Sequence, residues 1–408
     1  MSLMGTRNER VTNLRIVVAM EECVQEATIL FDQQQGVPQY LPIPHKGQPE
    51  RYPAYTMHIP HGFLNWRTDR RDVIAFPTQD VARSILNFCR CGVVRGGIFF
   101  TRNDTDGDEA DNARYMVAVK MMDRHQLQLQ RDDIENELSV MRVLQPGGFT
   151  GVLHNPHILQ WEASSDVANE YIATDYVSNG SLVLYSHHRL QELRFHVSIE
   201  LAHHPELQEA RLAQLWTHES LHLFHGIMKG LAYIHAQDVA HLDLDPNNIV
   251  IDDNRTPRIL DFGSGAYLRT TTGPGFAGGG TSLVKCKPLY APPEVRRHNQ
   301  SQPPRTPFNG TAADMWSAGT MLYQLVCFGY PAGEYALVRD VNWRRNLLAH
   351  ANDIPHAGNE CYICVREIAF PPVVYEIFRS LLNENDPDAR MSAFAVAELL
   401  GQYLTQIT

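Results

Sequence analysis

The spacing of apolar positions divides the chain into a strand-rich first half and a helical second half. From about residue 82, the runs SILNFCRCG, GGIFFTR and RYMVAVKMM are short and rich in β-branched and aromatic residues, which predicts three strands. IENELSVMRVL repeats its apolar residues every three to four positions and predicts a helix. HILQWEA and YIATDYV predict two more strands, and a long helical pattern then runs to about residue 236. Strands first and helices later predict an α+β fold with a small sheet lobe and a larger helical lobe.

Two polar segments interrupt this pattern, and one segment precedes it. Apolar residues at helical spacing over 11–35 predict an amphipathic helix, and the Pro-, Gly- and His-rich stretch 36–62 predicts an extended arm. The acidic run 103–113 suits the tip of a hairpin between the second and third strands. The glycine- and threonine-rich run 270–282 predicts a mobile loop.

Composition narrows the classes of partner. The chain has 408 residues, of which 44% are hydrophobic, which is enough for more than one domain or lobe. Its formal charge of −11 makes nucleic acid or an anionic membrane an unfavourable main partner. No run reads as a signal peptide or a membrane span. The seven scattered cysteines fit a reducing compartment, so we expect a cytoplasmic protein and leave the nucleus open.

One short run gathers most of the candidate chemistry. HLDLDPNNIV, from His241, places Asp243, Asp245 and two asparagines at the entrance of a predicted strand. Taken alone, such a run usually forms a turn or a helix cap, and a metal site or a proton acceptor is the alternative. Asp261 follows Asp243 by eighteen residues, in the sequence Asp-Phe-Gly. Lys120 ends a strand that reads VAVK, and Glu137 lies seventeen residues further on, inside the predicted helix.

These features together resemble the eukaryotic protein kinases. The matching motifs occur in the order and at the spacings typical of that family: VAVK at 117–120, Glu137, HLDLDPNN at 241–248, DFG at 261–263, PPE at 292–294, DMWSAG at 314–319 and Arg390 in NDPDARMSA. Each motif is common by itself, but seven in order are a specific signal. The resemblance implies an N-terminal extension over 1–81 and a bilobal kinase domain over 82–404, with an N-lobe at 82–175 and a C-lobe at 176–404.

The resemblance also implies a role for each polar residue. Lys120 would bind the α- and β-phosphates of ATP, and Glu137 would hold Lys120 as an ion pair. Asp261 and Asn248 would be the ligands of Mg²⁺, which prefers such oxygen donors. Asp243 would accept the proton of the attacking hydroxyl group or orient that group.

Other positions take supporting roles by the same resemblance. Asp314 would brace the catalytic loop from a buried helix, and Glu294 would pair with Arg390. Thr174 precedes the hinge-like run that begins at Asp175, so it would line the back of the adenine pocket. The positions of the N-lobe and hinge that would contact the nucleotide are Gly92, Val93, Gly96, Ile98, Ala118, Thr174, Asp175 and Val177.

The glycine loop that covers the phosphates departs from the family pattern. Placing Ile98 at the valine position of the motif makes Gly96 its last glycine. Cys91 and Val93 then occupy the two earlier glycine positions, and Gly92 lies beside them. Side chains there would hinder the approach of backbone N–H groups to phosphate, so we expect weak or shifted nucleotide binding.

The catalytic loop departs from the pattern at two positions. Leu242 replaces the arginine that receives an activation-segment phosphate in many kinases, so we expect any activity not to depend on that switch. Asp245 replaces the lysine two residues after the catalytic Asp, which reverses the charge near the transferring phosphate. Cys286-Lys287 replaces the usual Gly-Thr pair of the facing loop. We hypothesise that Lys287 pairs with Asp245 and restores a cation near Asp243; the alternative is that both loops drifted after catalysis was lost.

The sequence therefore predicts an ATP- and Mg²⁺-dependent kinase that phosphorylates Ser or Thr of a protein substrate. The context Leu244-Asp245-Pro246 resembles serine/threonine rather than tyrosine kinases. Two alternatives stay open: a pseudokinase that acts as a scaffold or allosteric partner, and a small-molecule phosphotransferase of related fold. The motifs at 292–294 and 314–319 argue against the second, since they belong to the peptide-binding large lobe. The predicted N-terminal helix either packs on the small lobe or binds a protein partner.

Overall fold

The structure is a computed structural model that describes most of the sheet and helical regions of the chain. The described residues are 40–44, 56–60, 63–67, 72–75, 85–89, 91–100, 114–130, 134–146, 155–159, 161–165, 169–268, 276–277, 283–327, 344, 347–348 and 370–407. The predicted helix over 11–35, the hairpin tip at 103–113 and the threonines of the 270–282 loop lie outside these residues.

The chain forms two compact units. The sheet unit comprises Met1–Ile134, Gly148–Thr150 and Gln160–Tyr176. The helical unit comprises Glu135–Gly147, Gly151–Leu159 and Val177–Thr408. The predicted α+β organisation, with a strand-rich first part and a helical second part, is confirmed.

The sheet unit carries nine of the described strands and one short helix. The strands are β1 Tyr40–Pro44, β2 Thr56–Pro60, β3 Phe63–Arg67, β4 Asp72–Ala75, β5 Ile85–Cys89, β6 Gly92–Phe100, β7 Arg114–Asp123, β8 Trp161–Ser165 and β9 Asn169–Asp175. Helix α1, Arg124–Gln130, follows β7 directly. Strands β3 to β9 form one seven-stranded sheet with the order β3-β4-β6-β7-β9-β8, in which β5 also pairs with β6. All of its pairings are antiparallel.

The central strand β7 shows why this sequence folds as a strand. Val117, Val119 and Met121 alternate with Ala118 and Lys120, and the first three side chains are fully buried. A period of two places these two sets on opposite faces of the sheet. The apolar set therefore stabilises the core, while Ala118 and Lys120 share the other face.

The sheet begins earlier in the chain than the predicted boundary at residue 82. Strand β4 pairs with the second half of β6, and β3 pairs with β4. Strands β1 and β2 form a separate antiparallel pair within the segment predicted as an extended arm. Residues 63–67 and 72–75, which the sequence prediction assigned to an extension over 1–81, therefore belong to the main sheet, because their backbone pairings lie within it.

The helical unit contains seven of the described helices and six short strands. The helices are α2 Ile134–Leu144, α3 Leu182–Glu200, α4 Gln208–Ala236, α5 Pro293–Gln300, α6 Gly310–Val326, α7 Pro372–Leu381 and α8 Ala393–Ile407. The strands are β10 Val239–Ala240, β11 Ile249–Ile251, β12 Pro257–Ile259, β13 Ala266–Tyr267, β14 Phe276–Ala277 and β15 Phe308–Asn309. Helix α2 begins at the last residue of the sheet unit and lies otherwise in this one.

Helix α6 forms the centre of the helical unit. Asn309 caps it by accepting a hydrogen bond from the backbone N–H of Ala312, and its residues are buried almost throughout. Trp216 of α4 donates its indole N–H to the Leu325 carbonyl oxygen at 2.6 Å. A Cβ atom at Gly319 would lie 2.9 Å from Leu381, so glycine allows the close approach of α6 and α7. These contacts pack α4 and α7 against α6.

Helix α2 is attached to the helical unit, although the sequence prediction placed it in an N-lobe over 82–175. The side-chain amide of Asn136 donates to the Gly265 carbonyl oxygen at 2.8 Å. The hydroxyl group of Tyr233 donates to the Leu144 carbonyl oxygen at 2.7 Å. These bonds fix both ends of the helix to α4 and to the segment after Asp261, which sequence periodicity could not indicate.

Candidate active site

In the sheet unit, three predicted nucleotide-contacting residues lie on one face. Ala118 pairs with Thr174, and Lys120 pairs with Ile172, in the antiparallel register of β7 and β9. Directly opposed residues of such strands point to the same face, so Ala118, Lys120 and Thr174 belong together. Thr174 also donates its hydroxyl hydrogen to the Ala118 carbonyl oxygen at 3.4 Å. Asp175 ends β9, and Val177 is the first residue of the helical unit after it.

The glycine hairpin lies at a different place from the one predicted. Cys89 pairs with Gly92, so the hairpin of β5 and β6 closes there, and Gly96 lies in mid-strand opposite Ala118. Gly92 is therefore the glycine that follows the turn, and the placement of Gly96 as the last glycine of the motif is wrong. Several glycines in the run GVVRGGIFF allow either placement, and only the strand register decides between them.

Gly92 is required at that position for steric reasons. A Cβ atom there would lie 1.9 Å from the Met121 carbonyl oxygen, closer than any side chain allows. With Gly92 as the third glycine of a G-x-G-x-x-G motif, Asn87 and Cys89 occupy the first two positions. The predicted degradation of the loop therefore persists, with different residues at the substituted positions.

The strand register also shows that Val94, and not the predicted Val93, lies on the same face as Lys120. Val94 pairs with Lys120 and so shares its face, whereas Val93 is buried and points to the other face. The backbone of Ile98 pairs with that of Met116, four residues along β6 from Val94. Sequence reasoning missed Val94; placing the motif on Gly92 would have found it two residues later.

In the helical unit, Asp314 holds the start of the catalytic loop as predicted. Its fully buried carboxylate accepts hydrogen bonds from the backbone N–H groups of His241 and Leu242, both at 2.7 Å. The Nε2 atom of His235 donates to the same carboxylate at 3.0 Å. These bonds hold Leu242 at φ 62, a left-handed conformation that is unfavourable for leucine.

The loop geometry fixes Asp243 from both sides. The Asn248 side-chain nitrogen donates to the Asp243 carbonyl oxygen at 2.8 Å. The Asp243 carboxylate accepts the backbone N–H of Lys287 at 3.1 Å. The Asp243 backbone N–H donates to Nδ1 of His241 at 3.3 Å, and Nε2 of that ring donates to the Leu260 carbonyl oxygen at 3.0 Å. The candidate base is thereby held in one position.

The predicted ion pair between Lys287 and Asp245 is present. The Lys287 ammonium nitrogen lies 2.5 Å from Asp245 Oδ2, and the Asp245 side chain is fully buried. The other carboxylate oxygen, Oδ1, accepts the backbone N–H of Asn247 at 2.8 Å and its side-chain N–H at 3.0 Å. The groups that contact the Asp245 carboxylate are all N–H donors, so its buried negative charge is compensated.

Burial and the neighbouring carboxylates raise the pKa of Asp243. Burial raises the pKa of Asp243 to about 6, and the nearby carboxylates of Asp245 and Asp261 add to the increase. His241 and Lys287 oppose the increase. A carboxyl group whose pKa lies near neutrality can both accept and release a proton at physiological pH.

Asp261 and Glu137 lie at the same turn of the helical unit. Asp261 adopts φ 65, and a Cβ atom placed on Gly263 would lie 3.5 Å from the carboxylates of both Asp261 and Glu137. Glu137 is buried on helix α2. Lys120 belongs to the sheet unit, so its predicted pairing with Glu137 stays a prediction.

Leu242 is part of an apolar cluster that includes the activation segment. The buried members are Ala240, Leu242, Leu268, Val295, Phe308 and Ala313, and the partly buried Ala266, Val284 and Cys286 pack against them. Strands β10 and β13 pair beside this cluster. Asn299 exchanges two hydrogen bonds with the backbone of Val284, both at 2.9 Å. Apolar packing and backbone bonds thus hold the segment for which the resemblance to protein kinases implies an Arg–phosphate contact.

The predicted pair of Glu294 and Arg390 is also present and buried. Arg390 donates from Nη1 to one carboxylate oxygen at 2.5 Å and from Nη2 to the other at 3.2 Å. The guanidinium group also lies 5.0 Å from the ring centre of Trp316. This bidentate pair joins the helix after the activation segment to the C-terminal part of the unit.

Comparisons with known proteins agree with these motifs. The family model described as the protein kinase domain matches residues 109–399 of the chain. CBL-interacting protein kinase 28 of Oryza sativa subsp. japonica is 26% identical over 301 residues, covering 73% of this chain and 54% of the relative. CBL-interacting serine/threonine-protein kinase 8 of Arabidopsis thaliana is 26% identical, covering 54% of this chain and 40% of the relative. NUAK family SNF1-like kinase 1 of Mus musculus is 28% identical, covering 48% of this chain and 25% of the relative.

The chain therefore spans about half or less of the length of these curated relatives. None of the helices in the described ranges carries an apolar stretch that could cross a bilayer. The matched family covers well over half of the chain and includes both candidate loops. The motif order, the catalytic-loop geometry and this match lead to one conclusion: the chain belongs to the protein kinase domain family.

Proposed function

We propose that the protein transfers the γ-phosphate of ATP to a Ser or Thr hydroxyl group of a protein substrate, with Mg²⁺ as the metal ion. The observation that carries the proposal is the position of Asp243. Its backbone is bonded to Asn248, and its carboxylate to the Lys287 backbone, in a loop that Asp314 anchors. Phosphoryl transfer needs such fixed positioning more than covalent chemistry.

Asp243 acts on the substrate hydroxyl group. Its carboxylate, with a pKa of about 6, is largely ionised at neutral pH and can accept the hydroxyl proton as the bond to phosphorus forms. The bond from the Lys287 N–H leaves the second carboxylate oxygen, Oδ2, for this contact. Asp243 thus orients the attacking oxygen and removes its proton.

The donor set of the helical unit fits Mg²⁺. The amide nitrogen of Asn248 donates to Asp243, so the amide oxygen remains as a ligand, and Asp261 supplies a carboxylate. Hard oxygen donors of this kind are those that Mg²⁺ prefers. When bound, the metal ion neutralises charge on the phosphates. Asn248 and Asp261 hold it in this proposal.

Residues of the sheet unit hold the nucleotide. Ala118, Val94 and Thr174 share a face with Lys120, and this face carries the adenine and phosphate contacts in the proposal. Lys120 binds the α- and β-phosphates in this proposal, and its ion pair with Glu137 stays a prediction. Gly92 lets the hairpin backbone approach phosphate.

Lys287 takes the place of the missing catalytic-loop lysine. Its ammonium group is partly exposed and contacts the buried Asp245, and it lowers the pKa of Asp243. The pair removes the negative charge that Asp245 would otherwise place beside the transferring phosphate. The exposed side of the ammonium group can contact that phosphate.

Two features favour a pseudokinase scaffold as the alternative. Only Gly92 remains of the three motif glycines, and Asp245 neutralises much of the charge of Lys287. A binding role through the N-terminal segment would suit such a protein, and we keep that partner, and a cytoplasmic location, as proposals.

The test combines nucleotide binding with phosphotransfer. ATP with Mg²⁺ should raise the melting temperature of the purified chain, because a ligand of the folded state stabilises it. Label from [γ-³²P]ATP should appear on Ser and Thr of a mixture of protein substrates in phosphoamino-acid analysis. A thermal shift without label transfer supports the scaffold, and label on a small-molecule acceptor alone would reject a protein substrate.

A further inference from the structure

A surface cavity of about 430 Å³ lies in the helical unit, between helix α4 and the turn that connects β11 to β12. It belongs to none of the loops described above. Four imidazole groups and two permanent cations are among its lining residues: His157, His218, His222, His225, Lys229 and Arg255. We call it the histidine cavity.

The sequence brings three of the histidines to one face of α4. His218, His222 and His225 are spaced by four and three residues, the spacing of neighbours on a helix surface. The rings of the first two lie 4.6 Å apart between their centres. His157 comes from the segment before β8, and its Nδ1 donates to the Pro257 carbonyl oxygen at 2.8 Å. This bond leaves Nε2 of His157 as a second donor only when the ring is protonated.

The charge of the cavity is positive, in a chain whose formal charge is −11. The one carboxylate that lines it is Glu219. That carboxylate accepts a hydrogen bond from Arg189 at 2.8 Å and another from the hydroxyl group of Tyr185 at 2.5 Å. Its charge is therefore already compensated, and Lys229 and Arg255 add two positive charges to the cavity.

Burial and nearby positive charges lower the pKa of three of these imidazoles. Burial lowers the pKa of His157, His222 and His225. Lys229 lowers the pKa of His157 and His225 further, and Arg258 acts on His157 in the same direction. Among neighbouring histidines, His218 lowers the pKa of His222, and both His222 and His157 lower that of His225.

Three carboxylates oppose these effects from different elements. Asp252 of the β11–β12 turn raises the pKa of His157, Glu219 raises that of His222, and Glu398 of α8 raises that of His225. Asp252 is itself paired with Arg258 at 3.1 Å. The downward shifts prevail for His157, His222 and His225, so a bound anion would favour protonation of these three rings.

We propose that the histidine cavity binds a phosphate-bearing small molecule, held by Lys229, Arg255 and the imidazoles. Phosphate oxygens only accept hydrogen bonds at full ionisation, and this cavity presents mainly nitrogen donors. Its volume lies within the range of about 300–1,000 Å³ that small-molecule sites occupy. A metal ion is the weaker assignment, because within the described ranges no three His, Cys, Asp or Glu side chains are grouped to hold one.

The pH dependence of anion binding follows from its linkage to protonation of the imidazoles. A bound anion raises the pKa of each imidazole, so binding takes up protons. The extra affinity is fully present below the pKa of the free cavity and is lost as pH rises through the pKa of the complex. A rise of about one pKa unit for one imidazole makes binding up to about tenfold tighter at a pH below the pKa of the free cavity than at about pH 8.

The test uses sulfate, a tetrahedral dianion that stays fully ionised between these pH values. Sulfate is titrated into the full chain while the ring C–H NMR signals of the histidines are followed, with His222→Gln and His225→Gln assigning the cavity signals. We expect saturable shifts of the cavity signals and an affinity up to about tenfold higher at about pH 5 than at about pH 8. The signals of His187 and His188 on α3 should not follow the same binding curve.

A matched pair of double variants separates the cavity from general charge effects. Lys229→Gln/Arg255→Asn should weaken sulfate binding at least about tenfold, since both permanent cations are lost. Asparagine suits the second position because Arg255 has φ 60, which asparagine tolerates. Arg194→Gln/Arg297→Gln changes the net charge equally at exposed positions and should leave binding unchanged.

Three results would overturn the proposal. They are the lack of a saturable shift, equal affinity at both pH values, and equal weakening in the two double variants. Tighter binding of citrate than of pyrophosphate would reject a phosphate ligand in favour of a carboxylate. Melting temperatures and unchanged signals of remote histidines verify that each variant is folded.

Discussion

Replacing Lys287 by methionine removes the cation from a buried carboxylate next to the candidate base. The Asp245 side chain is fully buried, while that of Lys287 is 40% exposed, and their charged atoms are 2.5 Å apart. Breaking a buried pair costs about 3–5 kcal/mol and an exposed pair about 0–1 kcal/mol. Because solvent screens Lys287 in part, the cost of breaking this pair lies between the buried and the exposed values. We therefore expect a stability loss of about 2 kcal/mol.

The effect on the reaction follows from the same charge. In Lys287→Met, Asp245 keeps its bonds from Asn247 but leaves an uncompensated negative charge near the transferring phosphate. We expect kcat to fall about 30-fold, which corresponds to about 2 kcal/mol. The double variant Asp245→Asn/Lys287→Met removes both charges, and asparagine still accepts a hydrogen bond from Asn247. It should recover most of the lost rate.

The assay is initial-rate phosphotransfer for the wild type, both single variants and the double variant, which together form a double-mutant cycle. Lys285→Met is the matched control, since it makes the same substitution two residues away. A wild-type rate in Lys287→Met would refute the reasoning. Purely additive losses across the cycle would also refute it, because they would show that the two charges do not act on each other.

Three further predictions follow from the same contacts. Because the pKa of Asp243 is raised to about 6 in the folded state, this residue destabilises the fold as pH rises from about 4 to about 6. Asp243→Asn should therefore raise the melting temperature at pH 7 by about 2–4 °C. The kcat/KM of the wild type should rise with pH through about 6, as Asp243 ionises. Leu242→Arg should lower stability by about 3 kcal/mol by placing a charge in an apolar cluster, and phosphatase treatment should leave the wild-type rate unchanged. Arg390→Ala should cost about 3–5 kcal/mol in denaturant unfolding, because Glu294 would stay buried without its cation, whereas Arg297→Ala, at an exposed position of α5, should cost little.

The catalytic loop could be predicted because its residues act through fixed spacing. Asp243 and Asn248 lie on one short turn, and Asp314 was recognised from a separate motif. The pairing of Lys287 with Asp245 was predictable for a different reason: one position gained a negative charge where the facing loop gained a positive one. Charge reversals on loops that face each other carry spatial information that a single motif lacks.

The glycine hairpin was misplaced because local composition does not determine register. The run after Cys91 contains three glycines among apolar residues, and a shift of four residues preserves which face each side chain occupies. Pairing with β7 decides the matter, and it selects Gly92. Strands β1 and β2 lie in the stretch predicted as an arm, and β3 and β4 in the predicted extension over 1–81. They were missed for a related reason, since such short strands are not recognised until their partner strand is known.

Tertiary packing explains what the sequence could not indicate. Leu242 was recognised as a lost arginine, but its apolar surroundings come from segments up to seventy-one residues away, at Ala313. The histidine cavity was likewise invisible, because His157 and Arg255 approach α4 from two other elements. The i, i+4, i+7 spacing of the α4 histidines was the only local signal.

The most direct measurement compares the rate of γ-phosphate transfer by the wild type, Asp243→Asn and the control Asp253→Asn. Asp253 is an exposed carboxylate bonded to Ser178, outside the catalytic loop. The account predicts transfer to Ser and Thr by the wild type and the control, and a rate at least about 100-fold lower in Asp243→Asn, the scale expected when a general base is removed. Equal rates in all three proteins, or none in the wild type with ATP and Mg²⁺ at saturation, would contradict it.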